Sequence, residues 1–366
     1  MFARLLSLAA CSILLAPSAN GQGYALFSPA AVHDLHSELN TSQAKTMVRE
    51  ADASIAQAPH PMKRLHTEGT LPHQGIRDQS IEAEKDFPLT QSFAFAYRLT
   101  GDKPYLAQAA RYLDAWFTTY TVSGNPIDET KFDPMFIALD LTRGDLPPET
   151  ERRAVDFFRV MAVAYLDWLD HNYAKDPYNW SSHRVKLAVL GAYVSGDQAL
   201  IGRAAHAYSR QVKQNIRPDG SVNDFYKRDA LHYVVYDVEP LTMAALAARA
   251  HGKDWFHTAA TGPPSVEMGL DWLVPFATGA KTHQEFVHSS VRFDAARDQE
   301  GEAGYSGPWD PKTSIGLLAM AAWLDPKYAP VLDKVEADTR AKTPGWIALA
   351  MQASHRKTEL PDHPSP

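Results

Sequence analysis

Three stretches of one pattern decide the fold: Ala96-Tyr97-Arg98-Leu99-Thr100-Gly101-Asp102-Lys103-Pro104-Tyr105-Leu106, Ala192-Tyr193-Val194-Ser195-Gly196-Asp197-Gln198-Ala199-Leu200, and Ala248-Arg249-Ala250-His251-Gly252-Lys253-Asp254-Trp255-Phe256. Each reads as the end of a helix, a glycine able to take the left-handed C-cap conformation, a polar residue able to cap the next helix, and an apolar return. Any helical protein can use such corners. Three of them in one chain suggest antiparallel hairpins stacked in sequence. Their irregular spacing suits a curved, incomplete α/α toroid with loops inserted between hairpins better than a regular solenoid.

Outward from these corners, apolar residues at three- and four-residue spacing predict helices over 42–58, 87–100, 104–120, 149–173, 180–194, 199–216, 229–250, 282–297 and 311–324. No comparable run of alternating β-branched residues occurs, so the expected class is all-α, which argues against a Rossmann or α/β sandwich fold. Loops fall at 122–128, 176–179, 217–226 and 298–311. The segment 58–75, with Pro59, Pro61, Gly69, Pro72 and Gly75, is too long for a plain connector and suits a lid. Lys63, Arg64, His66, His73 and Arg77 would let that lid meet a polyanion. No composition shift divides the chain, so residues 22–366 are read as one domain.

The N-terminus predicts export. Met1 to Arg4 is a short basic region, Leu5 to Leu15 is almost wholly apolar, and Ala19-Asn20-Gly21 supplies small residues for cleavage, so residues 1–21 are read as a signal peptide. The expected location is periplasmic or secreted. Leu8-Ala9-Ala10-Cys11 also fits a lipoprotein box, although the apolar run before it is only half the usual length. No later stretch is apolar for long enough to span a membrane. The 366 residues carry 36 basic and 43 acidic groups, a net charge of -7, with no Lys/Arg-rich run, which argues against a nucleic-acid partner. The single Cys excludes a disulfide framework or a Cys-rich metal site. The fifteen His show no recognisable ligand spacing, so no metal or other cofactor is expected.

Two polar groups stand beside predicted helix starts. In Asp176-Pro177-Tyr178-Asn179-Trp180-Ser181-Ser182-His183-Arg184, Asn179 and His183 share one helix face, and a helix N-terminus suits a carboxylate. By itself Asn179 reads equally as an N-cap and His183 as a core histidine. In the run 226–240, Arg228, His232 and Tyr236 repeat at four-residue steps, and Tyr233 lies beside Tyr236. Trp116, Trp255, Trp272 and Trp309 could stack on sugars, but such residues in helical proteins usually belong to the core. The segments 285–288 and 304–310 are candidates for a far cleft wall.

Asn179-Trp180 with His183, Arg228-Asp229-Ala230-Leu231-His232-Tyr233, and upstream Ala94-Phe95-Ala96-Tyr97-Arg98-Leu99-Thr100-Gly101-Asp102 with Gly124-Asn125-Pro126-Ile127-Asp128-Glu129 together resemble the bacterial alginate lyase superfamily. The resemblance spans roughly residues 60–310 and includes motif order. It implies an α/α toroid with a deep cleft and a metal-free β-elimination on a uronic-acid polymer. Amide, imidazole or guanidinium groups must then neutralise the sugar carboxylate, a role falling to Asn179, His183 and Arg228. A general base and acid are also needed, and the resemblance assigns both to Tyr233, with Tyr236 as a fallback. It implies substrate contacts at Trp180, His232, Tyr236, His73, Gln74 and Lys131. One departure stands out: where many relatives carry Asn-Asn-His, this chain has Tyr178-Asn179-Trp180, with His183 three residues later. A histidine base on the opposite face would open anti elimination and glucuronate or guluronate polymers. In an unbroken helix Arg228 and Tyr233 would also point about 140° apart.

Two other functions fit the same sequence. A toroidal glycoside hydrolase would need a carboxylate pair, available among Asp128, Glu129, Asp224 and Asp229. A non-catalytic binder of anionic glycans would use the same aromatics and cations. Oligomeric state is not legible.

Overall fold

The computed structural model describes residues 23–172, 175–258 and 262–355; the expected signal peptide and Cys11 lie outside them. Five helices form an inner layer: Asp86–Thr100, Asp133–Thr142, Asn179–Ser195, Leu231–Ala250 and Ile315–Leu324. Each packs against the next in that order. An outer layer of Ser42–Ser54, Lys103–Thr119, Pro148–Asn172, Gln198–Asn215, Val266–Ala277 and Ala329–Thr339 surrounds them. This is the incomplete α/α toroid that the corner pattern predicts. Among the described residues there is no strand, only two isolated bridges, Ile216 with Val222 and Gln284 with Pro308.

Sequence explains the layering. The outer Gln198–Asn215 helix buries Leu200, Ala204, Ala207, Tyr208, Gln211, Val212 and Asn215, a single stripe at helical spacing. The inner Asn179–Ser195 helix buries every residue from Ser181 to Val194, because it has neighbours on all sides. Its Gly191 is required by contact: a Cβ there would lie 2.5 Å from the Phe158 carbonyl oxygen of the outer helix. Gly101 and Gly196 end their helices in the left-handed region, as the corners require. Asp197 then caps the next helix by accepting from the Ala199 and Leu200 amides. The third corner differs, since Trp255 and Phe256 lead into a loop before Val266–Ala277.

A seam remains between the last inner helix and the first. The segment near residue 27 fills it: the Phe27 ring lies 6.2 Å from Phe95 and 6.3 Å from Trp323. Buried Asp140 fixes that segment by accepting from the amides of Ala25 (2.8 Å), Leu26 (2.7 Å) and Phe27 (3.1 Å). The Gly345–His355 helix packs beside it.

Two expected helices are corrected. The one predicted over 229–250 begins at Leu231, because Asp229 adopts φ 50°, a left-handed break between Asn223–Arg228 and Leu231–Ala250. The one predicted over 282–297 is helical only over Arg292–Gln299. Residues before it are drawn onto the Leu231 helix start, where the Glu285 carboxylate accepts from the Leu231 and His232 amides. Helices Arg77–Ala83, Asp133–Thr142, Val266–Ala277, Ala329–Thr339 and Gly345–His355 were not anticipated.

Candidate active site

A cleft of about 570 Å³ opens at the N-terminal ends of the Asn179 and Leu231 helices. Asn179, Trp180, His183, Arg228, His232, Tyr233, Tyr236 and Lys131 all line it. His73 and Gln74 do not: both are exposed, His73 bonded to Asp78 at 2.6 Å and Gln74 turned to the Leu71 amide. The 58–75 segment instead reaches the cleft through Thr67, Glu68 and Gly69, joined by Arg77 at the start of the next helix. Its tip is held by buried Asp128, which accepts from the Thr67 amide at 2.7 Å and the Glu68 amide at 2.9 Å.

Asn179 is not the N-cap of its helix, a position taken by Tyr178. Capping comes from Asp224, whose carboxylate accepts the Asn179 backbone N–H at 2.6 Å and side-chain Nδ2–H at 2.9 Å. One carboxylate thereby satisfies the helix end and fixes the amide's orientation. Beneath it, buried Asp237 accepts from Ser182 at 2.6 Å and Asn215 at 2.7 Å. Burial and the neighbouring Asp224 hold the Asp237 carboxyl well above its ordinary range.

The break at Asp229 resolves the expected angular conflict between Arg228 and Tyr233. Arg228 ends one helix and Tyr233 starts another, so the guanidinium folds back over the phenol ring, 3.8 Å from its centroid. Asp294 accepts from Arg228, and Asp224 lies 3.8 Å from its Nε. On the other side stands Arg297, a residue sequence reading missed; it donates to the hydroxyls of Tyr305 and, at 3.4 Å, Tyr233. Burial pushes the Tyr233 hydroxyl well up and Tyr305 adds to this, while Arg228 and Arg297 pull it down. His232 lines the cleft as a neutral imidazole, lowered to about 4 by burial and the two guanidiniums.

His183 lines the cleft from the Asn179 helix. Its Nδ1 meets Thr130 Oγ1 at 2.6 Å, and that oxygen also accepts from Lys186 Nζ at 2.8 Å. With the ammonium donating to it, the threonine hydroxyl proton points to Nδ1, leaving the imidazole proton on Nε2. That Nε2 is buried without a hydrogen-bond partner, and the ring lies 4.2 Å from the Tyr236 ring. Burial, with the Lys186 ammonium beside it, lowers the imidazole well below its usual range. His183 and Tyr236 thus line the cleft together, with their rings in contact.

Other cleft residues escaped the sequence reading, among them Thr130, Asp133, Lys186 and Phe293, and Glu239 was quoted within the 226–240 run without a role. Of the two candidate wall segments, 304–310 reaches the cleft through Tyr305, whereas Glu285 of 285–288 caps a helix instead. Trp116 and Trp309 are buried, and Trp255 and Trp272 pack against the core. Residues 32–283 match the sequence profile of the alginate lyase family.

The chain belongs to the alginate lyase family.

A polysaccharide lyase from Stenotrophomonas maltophilia (strain K279a) is 30% identical over 113 residues, covering 30% of this chain and 33% of that relative. The chain thus matches about a third of that relative's length. Its fold is similar to that of an alginate lyase from Bacteroides ovatus, with a TM-score of 0.64, 15% identity, and coverage of 90% of this chain and 99% of that one. Alginate lyase A1-III from Sphingomonas species A1 is similar at a TM-score of 0.50 and 18% identity, over 69% of this chain and 78% of that one. Variants of the Sphingomonas enzyme have been solved complexed with a tetrasaccharide. Identities this low make these two likenesses a matter of fold.

Proposed function

We propose that the protein is an exported lyase that cleaves a uronic-acid polymer, alginate (polymannuronate) or polyglucuronate, by β-elimination. The observation that carries this reading is Tyr233 held between two guanidiniums, Arg228 stacked on its ring and Arg297 at its hydroxyl, with Asn179 in the same cleft. Asn179 and Arg228 bind the uronate carboxylate and stabilise the enolate that forms when the C5 proton leaves. Tyr233, as phenolate, takes that proton; the electron pair forms the C4–C5 double bond and the C4–O4 bond breaks. The phenol then returns the proton to O4, so the tyrosine is regenerated and no water is consumed. Trp180, His183, Tyr236 and His232 surround and position the sugar.

The hydrolase alternative is poorly supported by the carboxylates that would serve it. Asp128 holds the Thr67 and Glu68 amides, Asp224 holds Asn179, and Glu129 accepts from Tyr120 at 2.9 Å and from Ser123. Asp229 accepts from the His288 amide at 2.9 Å. None of the four lines the cleft. The test is near-ultraviolet absorbance of unsaturated uronate on separate polymannuronate, polyguluronate and polyglucuronate. Tyr233→Phe is expected to lower the rate by at least about 100-fold, the usual scale for losing a general acid–base group. Activity surviving in Tyr233→Phe but lost in His232→Gln would move the base to the histidine. Reducing ends without unsaturated product would replace elimination by hydrolysis.

A further inference from the structure

Outside the cleft, the elements that carry Asn179 and Arg228 also carry a row of cations held on aromatic rings. Tyr178 and Lys227 are the chain neighbours of those two residues, and the Lys227 ammonium lies over the Tyr178 ring, 4.0 Å from its centroid. One helical turn before Lys227, Asn223 donates to the Pro177 carbonyl at 3.0 Å and accepts from Arg217 Nε at 3.2 Å. The Arg217 guanidinium in turn stacks on Tyr226, 3.7 Å from the ring centroid, and Tyr226 is 52% exposed. From Tyr226 the ring contacts continue through Phe225 and Trp272 to Phe276, with centroids 5.5, 4.9 and 5.1 Å apart in succession. Lys281 lies over the last of these rings, 5.5 Å from its centroid.

These cations differ from those of the cleft in what holds them. Lys131 is engaged by Glu84 at 2.6 Å, and Lys186 by Asp133 at 2.6 Å. Among the described residues Arg217, Lys227 and Lys281 form no ion pair, and all three are exposed. An aromatic face fixes a cation in place without cancelling its charge. Asp219, in the same turn as Arg217, is directed instead to the Ser221 amide at 3.0 Å and hydroxyl at 2.6 Å. Asp224, which feels the Lys227 charge, is buried and committed to Asn179. In a chain of net charge -7 the row is therefore a local surface with positive charge to spare.

We propose that this row is a second binding site for the polyuronate chain, engaging sugars that lie outside the catalytic cleft. The cations match the carboxylate that every unit of such a polymer carries, and the exposed and half-buried rings match the apolar faces of its sugars. Two sites on one ligand act through effective concentration, so the row adds affinity only for chains long enough to reach it. The identity of the ligand rests on the lyase reading above, and the test separates the two.

The double variant Arg217→Ala/Lys227→Ala, and separately Tyr226→Ala, would be compared with the unmodified chain on long polymannuronate and polyglucuronate and on a tetrasaccharide of each, by ultraviolet absorbance of the product. Binding of the same four ligands would be titrated calorimetrically with Tyr233→Phe added to each protein. In the double variant KM for the long polymer is expected to rise at least about fivefold, with kcat and the tetrasaccharide kinetics unchanged. Unchanged turnover of the tetrasaccharide also shows that the variant is folded. Polymer affinity should fall with added salt, and less steeply in the double variant. A polymer KM that does not move, or polymer and tetrasaccharide KM values that rise together, would overturn the row as a separate site while leaving elimination standing. Polymer binding tighter than tetrasaccharide binding, lost in the double variant but without unsaturated product from the unmodified chain, would support the row and overturn the lyase reading.

Discussion

Burial opposes the chemistry assigned to Tyr233, because it favours the neutral phenol, and the two guanidiniums offset it. Removing one should therefore raise the phenol further. Arg297→Gln is expected to move the alkaline-rising limb of the pH–rate profile to higher pH, so that activity near neutrality falls but partly recovers in more alkaline buffer. An unshifted limb would remove Arg297 from the reaction. Glu239 acts in the opposite sense. Burial raises it to about 7, Lys186 pulling it down and Asp133 pushing it up. Above that pH it turns negative, and KM for a polyuronate should climb; Glu239→Gln should flatten the rise. The same shift bears on stability. Between its unfolded value of 4.5 and about 7 only the folded state holds the proton, so this carboxyl's contribution declines as pH increases through that window. Glu239→Gln should then raise the melting temperature at pH 8, measured by calorimetry. At this scale Asn179, Arg228 and Tyr233 were legible from motif and order. Arg297 and Glu239 were not: one sits in a segment misread as a longer helix, the other stands at the end of the 226–240 run, one helical turn beyond the residues that carry the motif.

Burial alone did not decide which helices were legible: Asn179–Ser195, buried from Ser181 to Val194, was predicted over 180–194, whereas Asp133–Thr142 was not. Gln198–Asn215 shows a clear stripe, whereas Asp133–Thr142 buries every residue from Met135 to Thr142 and offers no periodicity to detect. The left-handed break at Asp229 was equally invisible, since aspartate is only an occasional occupant of that conformation. What stabilises it lies far along the chain: the Phe286 amide donates to the Asp229 carbonyl at 2.7 Å and the His288 amide to its carboxylate. Close approach between layers gives a sharper test. Gly191→Ala would drive a methyl into the Phe158 carbonyl, and such overpacking typically costs about 1–3 kcal/mol. Chemical denaturation should show the loss, whereas Gly202→Ala, with open space around it on the outer layer, should be neutral or slightly stabilising.

The toroid as a whole depends on its seam. Corners and hairpins predicted the curvature, but no local pattern revealed that the segment around residue 27 completes the ring. Asp140→Ala would strand three buried amides. It is expected to cost about 3 kcal/mol or more and to expose the seam to protease while the opposite side of the ring stays protected. Full protection of the seam in that variant would show that Phe27 alone suffices to hold it. A contact between Phe27 and Trp323 joins nearly the two ends of the described chain. Each neighbouring hairpin can form as soon as its own residues meet, but this contact must wait until the whole arc has curved round. Ring closure is therefore the slow, non-local event of folding, and a half-finished arc would carry an open apolar edge for as long as that wait lasts.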